Sequence, residues 1–271
     1  MKVMTVQSLA LVAGEGKLPE EIVSRLAGNN QPPVVYALGG SPDRFRSLGA
    51  VEVIPLVSPD LDFLIGDVSK RGVKNMMLAG RVPKTLMYRP EILGESLGKL
   101  LQELESADDH SLLGAIVSAI ESAGIMVMSY RDVIPDLLAP AGPVAGRAPT
   151  ASEMEDINYA RSVAKVLLPL SFGQTLAVYR RAVIAVEAME GTDMMIRRAG
   201  DIVGRGVLVK MMREDQDERY DLPTVGPSTL KNMAEAGLAC LAVEAGRTIV
   251  LCRKEFSHIA REAGIAVWGI S

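Results

Sequence analysis

Short apolar runs alternate with longer amphipathic stretches through the first half of the chain. An apolar run over 5–13 predicts a strand, broken at Gly14-Glu15-Gly16, and residues 18–27 then carry helical spacing. A second strand is predicted over 34–38, ending at Gly39-Gly40, and a third over 73–79, ending at Gly80, with a helix over 61–71 between them. Helical spacing returns over 92–106 and 111–123, before a further strand over 125–129. Strands that alternate with helices argue for a parallel, doubly wound, Rossmann-like sheet covered on both faces.

Residues 138–150, LAPAGPVAGRAPT, break both periodicities with repeated Pro, Gly and Ala. The pattern places an N-terminal domain at 1–138, a linker at 139–150 and a C-terminal domain at 151–271. The second half opens with a helix over 152–167. Two strands, 175–179 and 182–186, read as a hairpin joined at Arg180-Arg181, although no Asn-Gly or Asp-Gly marks its turn. Thr192 is placed as the cap of a helix reaching residue 203. A strand follows over 207–210, and Pro227 suits the first turn of a helix to residue 236. Runs at 238–243 and 248–251 are expected to pair as a hairpin, before a helix over 256–263 and a last strand over 266–270. The expected fold is therefore α/β throughout, with a mixed α/β second domain. No internal repeat or low-complexity tract is visible.

Composition narrows the partners. The chain has 271 residues, 48% hydrophobic and 23% charged, as a packed globular protein does. A formal net charge of -4 disfavours a bulk electrostatic grip on nucleic acid, and no basic cluster with interleaved aromatics appears. No apolar run reaches the ~20 residues that span a bilayer, and the start lacks the pattern of a secretory leader. Cys240 and Cys252 both sit in apolar runs and are expected to be buried thiols in a reducing cytoplasm.

The chemistry-bearing residues cluster between 187 and 229. Glu187, Glu190, Asp193, Asp215, Asp217 and Asp221 supply acids there, and Arg197, Arg198, Lys210, Arg213 and Arg219 supply bases. Unlike charges at the ends of apolar segments suit an anion site with a metal. A solvated surface loop is the competing reading for the acidic run EDQDERYD. It lies between a strand ending at Lys210 and the Gly226-Pro-Ser-Thr229 helix start, which favours a site. Asp217 and Asp221 would share a face if the segment were helical. Asp193 falls in a first helical turn, where the helix dipole alone would favour it. Oxygen ligands of this kind suit Mg²⁺ or a similar hard ion.

The first glycine loop, Gly14-Glu15-Gly16-Lys17, follows a strand and opens a helix, where backbone amides meet phosphates. It lacks the dinucleotide fingerprint, since Pro19 stands where a third glycine would be, and no Walker Lys-Ser/Thr follows. A plain tight turn is the competing reading. Gly80 to Lys84 ends a second strand at the same edge, and together these mark a nucleotide crevice outside the carboxyl ends of the strands. With only His110 and His258 present, a His-rich binuclear phosphoesterase site cannot be built, and a Ser-His-Asp triad has little support.

The segments AGEGKLP, DDHSLL, EGTDMMIRRAG, QDERYDLPTVGPST and the closing AGIAVWGI resemble the I-type UDP-2,3-diacylglucosamine pyrophosphatases of bacterial lipid A synthesis. The resemblance covers essentially the whole chain. It implies hydrolysis of UDP-2,3-diacylglucosamine to UMP and 2,3-diacylglucosamine 1-phosphate by water attack on the sugar-side phosphorus. It also implies a divalent cation (Mg²⁺, with Mn²⁺ as the alternative), a ligand held between the two domains, a homodimer, and a cytoplasmic enzyme that touches the inner membrane peripherally. Carried over, Asp193, Asp217 and Asp221 are the catalytic and metal-binding candidates, joined by Lys210 and Arg219 as transition-state stabilisers. Gly14, Gly16, Lys17, Gly80, Lys84, Thr192, Gln216 and Thr229 are the substrate-binding candidates. The chain departs from the family pattern at Arg213-Glu214, where Lys-Pro is usual, and at Ser171, where an Asp is common. Another sugar-nucleotide hydrolase, or a sensor that binds without turnover, stands as the alternative.

Overall fold

The computed structural model describes residues 9–38, 42–82, 94–104, 109–171 and 173–271. Lys84, Gly39-Gly40, Phe172, residues 5–8 of the expected first strand, and residues 92–93 and 105–106 of the expected third helix lie outside these, as does the side chain of His110. The chain divides into two compact units, 1–135 with 218–221, and 136–217 with 222–271.

The first unit is built on a wholly parallel sheet ordered β3-β2-β1-β4-β5. In chain order its elements are β1 (Leu9–Ala13), α1 (Leu18–Gly28), β2 (Val34–Leu38), α2 (Asp43–Ser47), β3 (Glu52–Leu56), α3 (Leu61–Lys70), β4 (Asn75–Ala79), α4 (Glu95–Glu103), α5 (Asp109–Ser122) and β5 (Met126–Val127). Ala10, Tyr36, Met76 and Val127 join one core cluster with Leu64, Val68, Val117 and Ile120 of the helices. The alternate residues Leu11, Val35 and Met77 are equally buried, so both faces are covered, as an all-parallel sheet requires. β3 has no counterpart in the sequence reading. Pro55 interrupts its pattern, and a proline is tolerated there because β3 is an edge strand. Helix α1 begins with Pro19 in its first turn and Glu20 and Glu21 beside it. Asp60 caps α3 by accepting the Phe63 N–H at 3.0 Å.

The second unit carries a six-stranded mixed sheet ordered β6-β13-β11-β9-β7-β8. Its elements are β6 (Gly142–Gly146), α6 (Ala151–Leu167), β7 (Thr175–Tyr179), β8 (Ala182–Val186), α7 (Thr192–Ile202), β9 (Val207–Lys210), β10 (Thr224–Val225), α8 (Pro227–Glu235), β11 (Cys240–Glu244), β12 (Ile249–Val250), α9 (Arg253–Glu262) and β13 (Ala266–Ile270). The three central strands β13, β11 and β9 are parallel, and β6, β7 and β8 run antiparallel to their neighbours. Side chains alternate between two cores. Leu208, Leu241 and Val267 pack with α7, α8 and α9, while Val207, Val209, Cys240 and Ala242 pack with α6.

Three expectations change here. Residues 139–150 are no free linker, because 142–146 form β6, antiparallel to β13. Its glycines serve close packing: a Cβ on Gly146 would lie 1.9 Å from the Ile265 carbonyl oxygen. The hairpin expected across 244–247 is absent. β11 lies between β9 and β13, and β12 pairs in parallel with β10. The chain after Glu244 is drawn off the sheet by Gly246 N–H donating to Ala139 O (2.8 Å) and Ala139 N–H donating to Thr248 O (2.8 Å). Cys252 is exposed, at the start of α9; only Cys240 is buried, which pushes its thiol up to about 12.

The β7–β8 hairpin turns at Arg180 and Arg181, both at positive φ (51° and 57°), a conformation that costs ordinary residues roughly 1–2 kcal/mol each. Asp156 of α6, buried beneath the turn, offsets this by accepting both amides, at 3.0 and 2.6 Å. Thr150 caps α6 in a reciprocal box with Glu153, and Arg147 clamps the same carboxylate. Burial would raise the Glu153 carboxyl; the Arg147 and Thr150 hydrogen bonds outweigh it and hold the group below its ordinary range.

Candidate functional site

Two strand ends in the second unit carry buried polar groups on one face. Lys210 ends β9 in the same alternation as Leu208, and it pairs in register with Thr175 at the start of β7. Both therefore face α7 and α8. Glu187, just past β8, shares the parity of buried Ala185. Lys210, Glu187 and Thr175 are all at least 92% buried, and buried charges survive only when hydrogen-bonded. Thr192 supplies the bonds: its hydroxyl donates to Glu187 Oε1 at 2.9 Å and accepts from Lys210 Nζ at 3.2 Å. Glu187 Oε2 and Thr175 Oγ1 are buried there too, with no hydrogen-bond partner among the described residues. An ammonium, a hydroxyl and a carboxylate thus converge at the N-terminus of α7.

The EGTD turn works differently from the sequence expectation. Gly191, at φ 80°, occupies the N-cap, and Thr192 is the first helical residue. Its hydroxyl serves Lys210 and Glu187 in place of capping the helix. Asp193 is in the first turn, as expected, but its carboxylate is exposed and accepts from Asn232 Nδ2 of α8 at 2.8 Å. Glu190 pairs with Arg198, which also donates to Val186 O at 2.9 Å. Burial works against the Glu190 charge, and backbone amides with Arg198 outweigh it, leaving its carboxyl below the ordinary range.

The acidic run is a chain of turns, so Asp217 and Asp221 share no helical face. Its two ends belong to different units. In the second unit, Met212 N–H donates to Glu244 at 2.9 Å, and Arg247 bonds both Glu244 (3.1 Å) and Arg213 O (3.1 Å). Arg213 N–H donates to Gln216 Oε1 at 3.2 Å, so the buried Gln216 folds back on its own loop. The Arg213 guanidinium reaches Asp215 (2.8 Å) and the Ser171 hydroxyl. The two departures from the family pattern, at 171 and 213–214, are therefore in contact with each other. Thr229 Oγ1 accepts the Gly226 N–H at 3.3 Å at the start of α8, which has Pro227 in its first turn.

Residues 218–221 are part of the first unit. Glu218 pairs with Arg131. Arg219 donates to Glu121 at 2.7 Å and to Val127 O at 3.3 Å, and its guanidinium lies 5.7 Å from the Tyr220 ring centre. Tyr220 packs into the hydrophobic core of that unit. Arg219 thus fastens the segment that bears Asp221.

In the same unit the β1 and β4 loops meet at the carboxyl edge of the sheet, where the strand order reverses. Glu15 and Arg81 exchange backbone hydrogen bonds at 2.8 and 2.9 Å. A Cβ on Gly14 would lie 2.6 Å from Arg81 O, and one on Gly80 2.9 Å from Glu15 O. These two glycines are required by the crossing of the loops, which supports the tight-turn reading. Gly16 has open space and needs only its φ of 96°. The Lys17 ammonium lies on the surface against Glu20, at 2.7 Å.

Among the described residues no group of three or more His, Cys, Asp or Glu side chains is placed to hold a metal ion. Asp193, Asp217 and Asp221 form no ready-made cage. Mg²⁺ usually takes one or two carboxylates and completes its shell with water and substrate phosphate, a donor set that Asp217 or Asp221 fits. Sequence reasoning missed Thr175, Asn232 and Tyr220. The two-residue alternation that aligns Thr175 with Lys210, and the lone aromatic inside an acidic run, were the available signals.

Family comparison covers both units. The LpxI N-terminal domain matches residues 8–137, and the LpxI C-terminal domain matches residues 140–268. The chain is 32% identical to the UDP-2,3-diacylglucosamine pyrophosphatase LpxI of Caulobacter vibrioides, over 97% of this chain and 98% of that protein. Both domains in order, and a likeness running nearly end to end, place the chain in the LpxI family.

Proposed function

We propose that this protein is a hydrolase of UDP-2,3-diacylglucosamine, releasing UMP and 2,3-diacylglucosamine 1-phosphate. The observation that carries the reading is the end-to-end likeness to a pyrophosphatase named for that substrate. In the reaction, water oxygen bonds to the sugar-side phosphorus, the anhydride P–O bond breaks, UMP departs with the bridging oxygen, and the water proton is lost. Asp217 or Asp221 aligns that water and accepts its proton. Lys210 faces the developing phosphate charge from the end of β9, with Thr192 holding its ammonium in place (3.2 Å). Arg219 acts by anchoring the Asp221 segment to Glu121 and the Val127 carbonyl. Asp217 or Asp221 would help to hold a divalent cation, which when bound would neutralise phosphate oxygens and make water more acidic. Among the described residues no helix is long and apolar enough to cross a membrane. A peripheral contact with the inner membrane and a homodimer belong to the same proposal.

The test is UMP release from UDP-2,3-diacylglucosamine with Mg²⁺, with Mn²⁺ and with EDTA, beside Asp217→Asn and Asp221→Asn. Metal-dependent release that falls by about 10²–10⁴-fold in at least one variant is expected. Wild-type turnover in both folded variants would remove these carboxylates from the mechanism.

A further inference from the structure

Lys210 is only 8% exposed, yet among the described residues its ammonium makes one hydrogen bond, to the Thr192 hydroxyl at 3.2 Å, and no ion pair. A buried ammonium is usually neutralised by a carboxylate in direct contact, which also takes up its donors. Here the partner is a neutral hydroxyl, and the carboxylate of Glu187 stands one hydrogen bond further off, 2.9 Å from that hydroxyl. The nearby Arg198 does not neutralise Glu187 either, since it bonds the Val186 carbonyl and pairs with Glu190.

The direction of these bonds follows from the groups themselves. An ammonium only donates and a carboxylate only accepts, so the Thr192 hydroxyl gives its proton to Glu187 and turns a lone pair to Lys210. Glu187 therefore orients the hydroxyl, and through it the ammonium, without touching the ammonium. Its charge still favours the charged form of the lysine, while the remaining ammonium N–H groups stay available to an anion.

Three local features keep this spacing. The Glu187 N–H donates to Thr175 O at 2.8 Å, which fixes the backbone beside β7. A Cβ on Gly173 would lie 2.7 Å from Glu187 O and 2.8 Å from its Cγ, so any side chain at 173 would displace the carboxylate. Gly191 takes the N-cap at φ 80°, which puts Thr192 in the first helical position with its hydroxyl turned to Glu187 and Lys210. Glu187 Oε2 is nevertheless left buried with no hydrogen-bond partner among the described residues. A buried carboxylate oxygen in that state is destabilising, so stability alone gives no reason for an acid here.

We infer that Glu187 is a positioning residue for the hydrolysis: acting through Thr192, it holds the Lys210 ammonium charged and directed at the phosphate without pairing with it. The inference rests on the proposed function for the identity of the anion. Gly173 belongs to the same arrangement, because it makes the room in which Glu187 sits.

The experiment uses the full chain with Mg²⁺ and two readouts. The first is steady-state hydrolysis of UDP-2,3-diacylglucosamine. Glu187→Gln keeps the side chain's size but no longer dictates which way the Thr192 hydroxyl points. Its kcat is expected to fall about 10- to 100-fold with KM within about threefold of wild type. Thr192→Val, which cannot relay, is expected to lose as much, whereas Thr192→Ser is expected to keep kcat within about threefold of wild type. The double variant of Glu187→Gln and Thr192→Val is expected to be no worse than either single change, because both break one chain of contacts. Wild-type kcat in folded Glu187→Gln, or in folded Thr192→Val should the first not fold, overturns the inference, and so does a multiplicative loss in the double variant. The second readout needs no turnover: proton–nitrogen NMR of the Lys210 ammonium, assigned by its disappearance in Lys210→Met. A signal protected from water exchange is expected in wild type and Thr192→Ser, shifted in Glu187→Gln and exchanged away in Thr192→Val. The two readings fail separately. Absent UMP release with the ammonium signal responding in this way sinks the hydrolase alone. Normal release with a signal indifferent to both changes sinks the positioning role alone.

Discussion

The two units end their parallel strands in opposite chemistry. In the N-terminal unit the strand ends lead into Gly14 and Gly80, whose loops cross backbone to backbone above a hydrocarbon cavity. In the C-terminal unit β9 ends in Lys210, buried and tied through Thr192 to Glu187. Glycines at a strand end suggested phosphate binding, and Gly14 and Gly80 also serve close backbone approach. The group proposed to face the anion is the buried Lys210 of the other sheet. A glycine turn thus reports a steric requirement as well as a possible contact with an anion.

The contrast breaks most readily at Lys210. Lys210→Met should lower kcat/KM by about 10²–10³-fold, because a buried ammonium aimed at developing charge has no substitute there. Steady-state kinetics checks it, and an effect below threefold would take the anion role away from this sheet. Next in size is Gly14→Ala, whose Cβ would meet the Arg81 carbonyl oxygen at 2.6 Å; about 3 kcal/mol of lost stability is expected from the denaturant midpoint. Gly16→Ala, with only its positive φ to strain, should cost about 1 kcal/mol. Equal costs at 14 and 16 would remove the steric account of the loop.

Glu153 sharpens the comparison through pH. Its folded carboxyl lies below the ordinary value of 4.5, so its stabilisation is present above that pH and is lost as pH falls through the folded value. Glu153→Gln should cost about 1–2 kcal/mol at pH 7, with the gap from wild type closing below about pH 4. Urea titrations at several pH values measure it, and a gap independent of pH would contradict the assignment. The smallest effect belongs to Lys17→Ala. Its ammonium lies against Glu20 on the surface, so nucleotide inhibition should change less than twofold. A tenfold loss of UMP affinity would return the nucleotide to the glycine loop.

Local pattern was enough for much of this architecture. The alternation of strands and helices made the N-terminal parallel sheet legible, and the motifs around 187–193 and 216–221 carried the family. The hairpin at Arg180-Arg181 was legible from its flanking strands, although the carboxylate that makes its left-handed turn tolerable lies on α6, at Asp156. Elements that depend on distant neighbours were hidden. Strand β3 is masked by Pro55, which only an edge position excuses, and β6 looked like a linker because its glycines answer to a strand far along the chain.

What the sequence determined by itself is the period of each segment, the two-domain order and the inventory of acids and bases, since these depend on residues close in the chain. Tertiary structure decided which groups are buried together. Thr192 bonds Lys210 and Glu187 because three elements end at one place, and the acidic run is divided between units because Arg219 and Tyr220 find their partners on the first sheet's unit. Burial and hydrogen-bond satisfaction are properties of neighbours in space, and no window along the chain contains them.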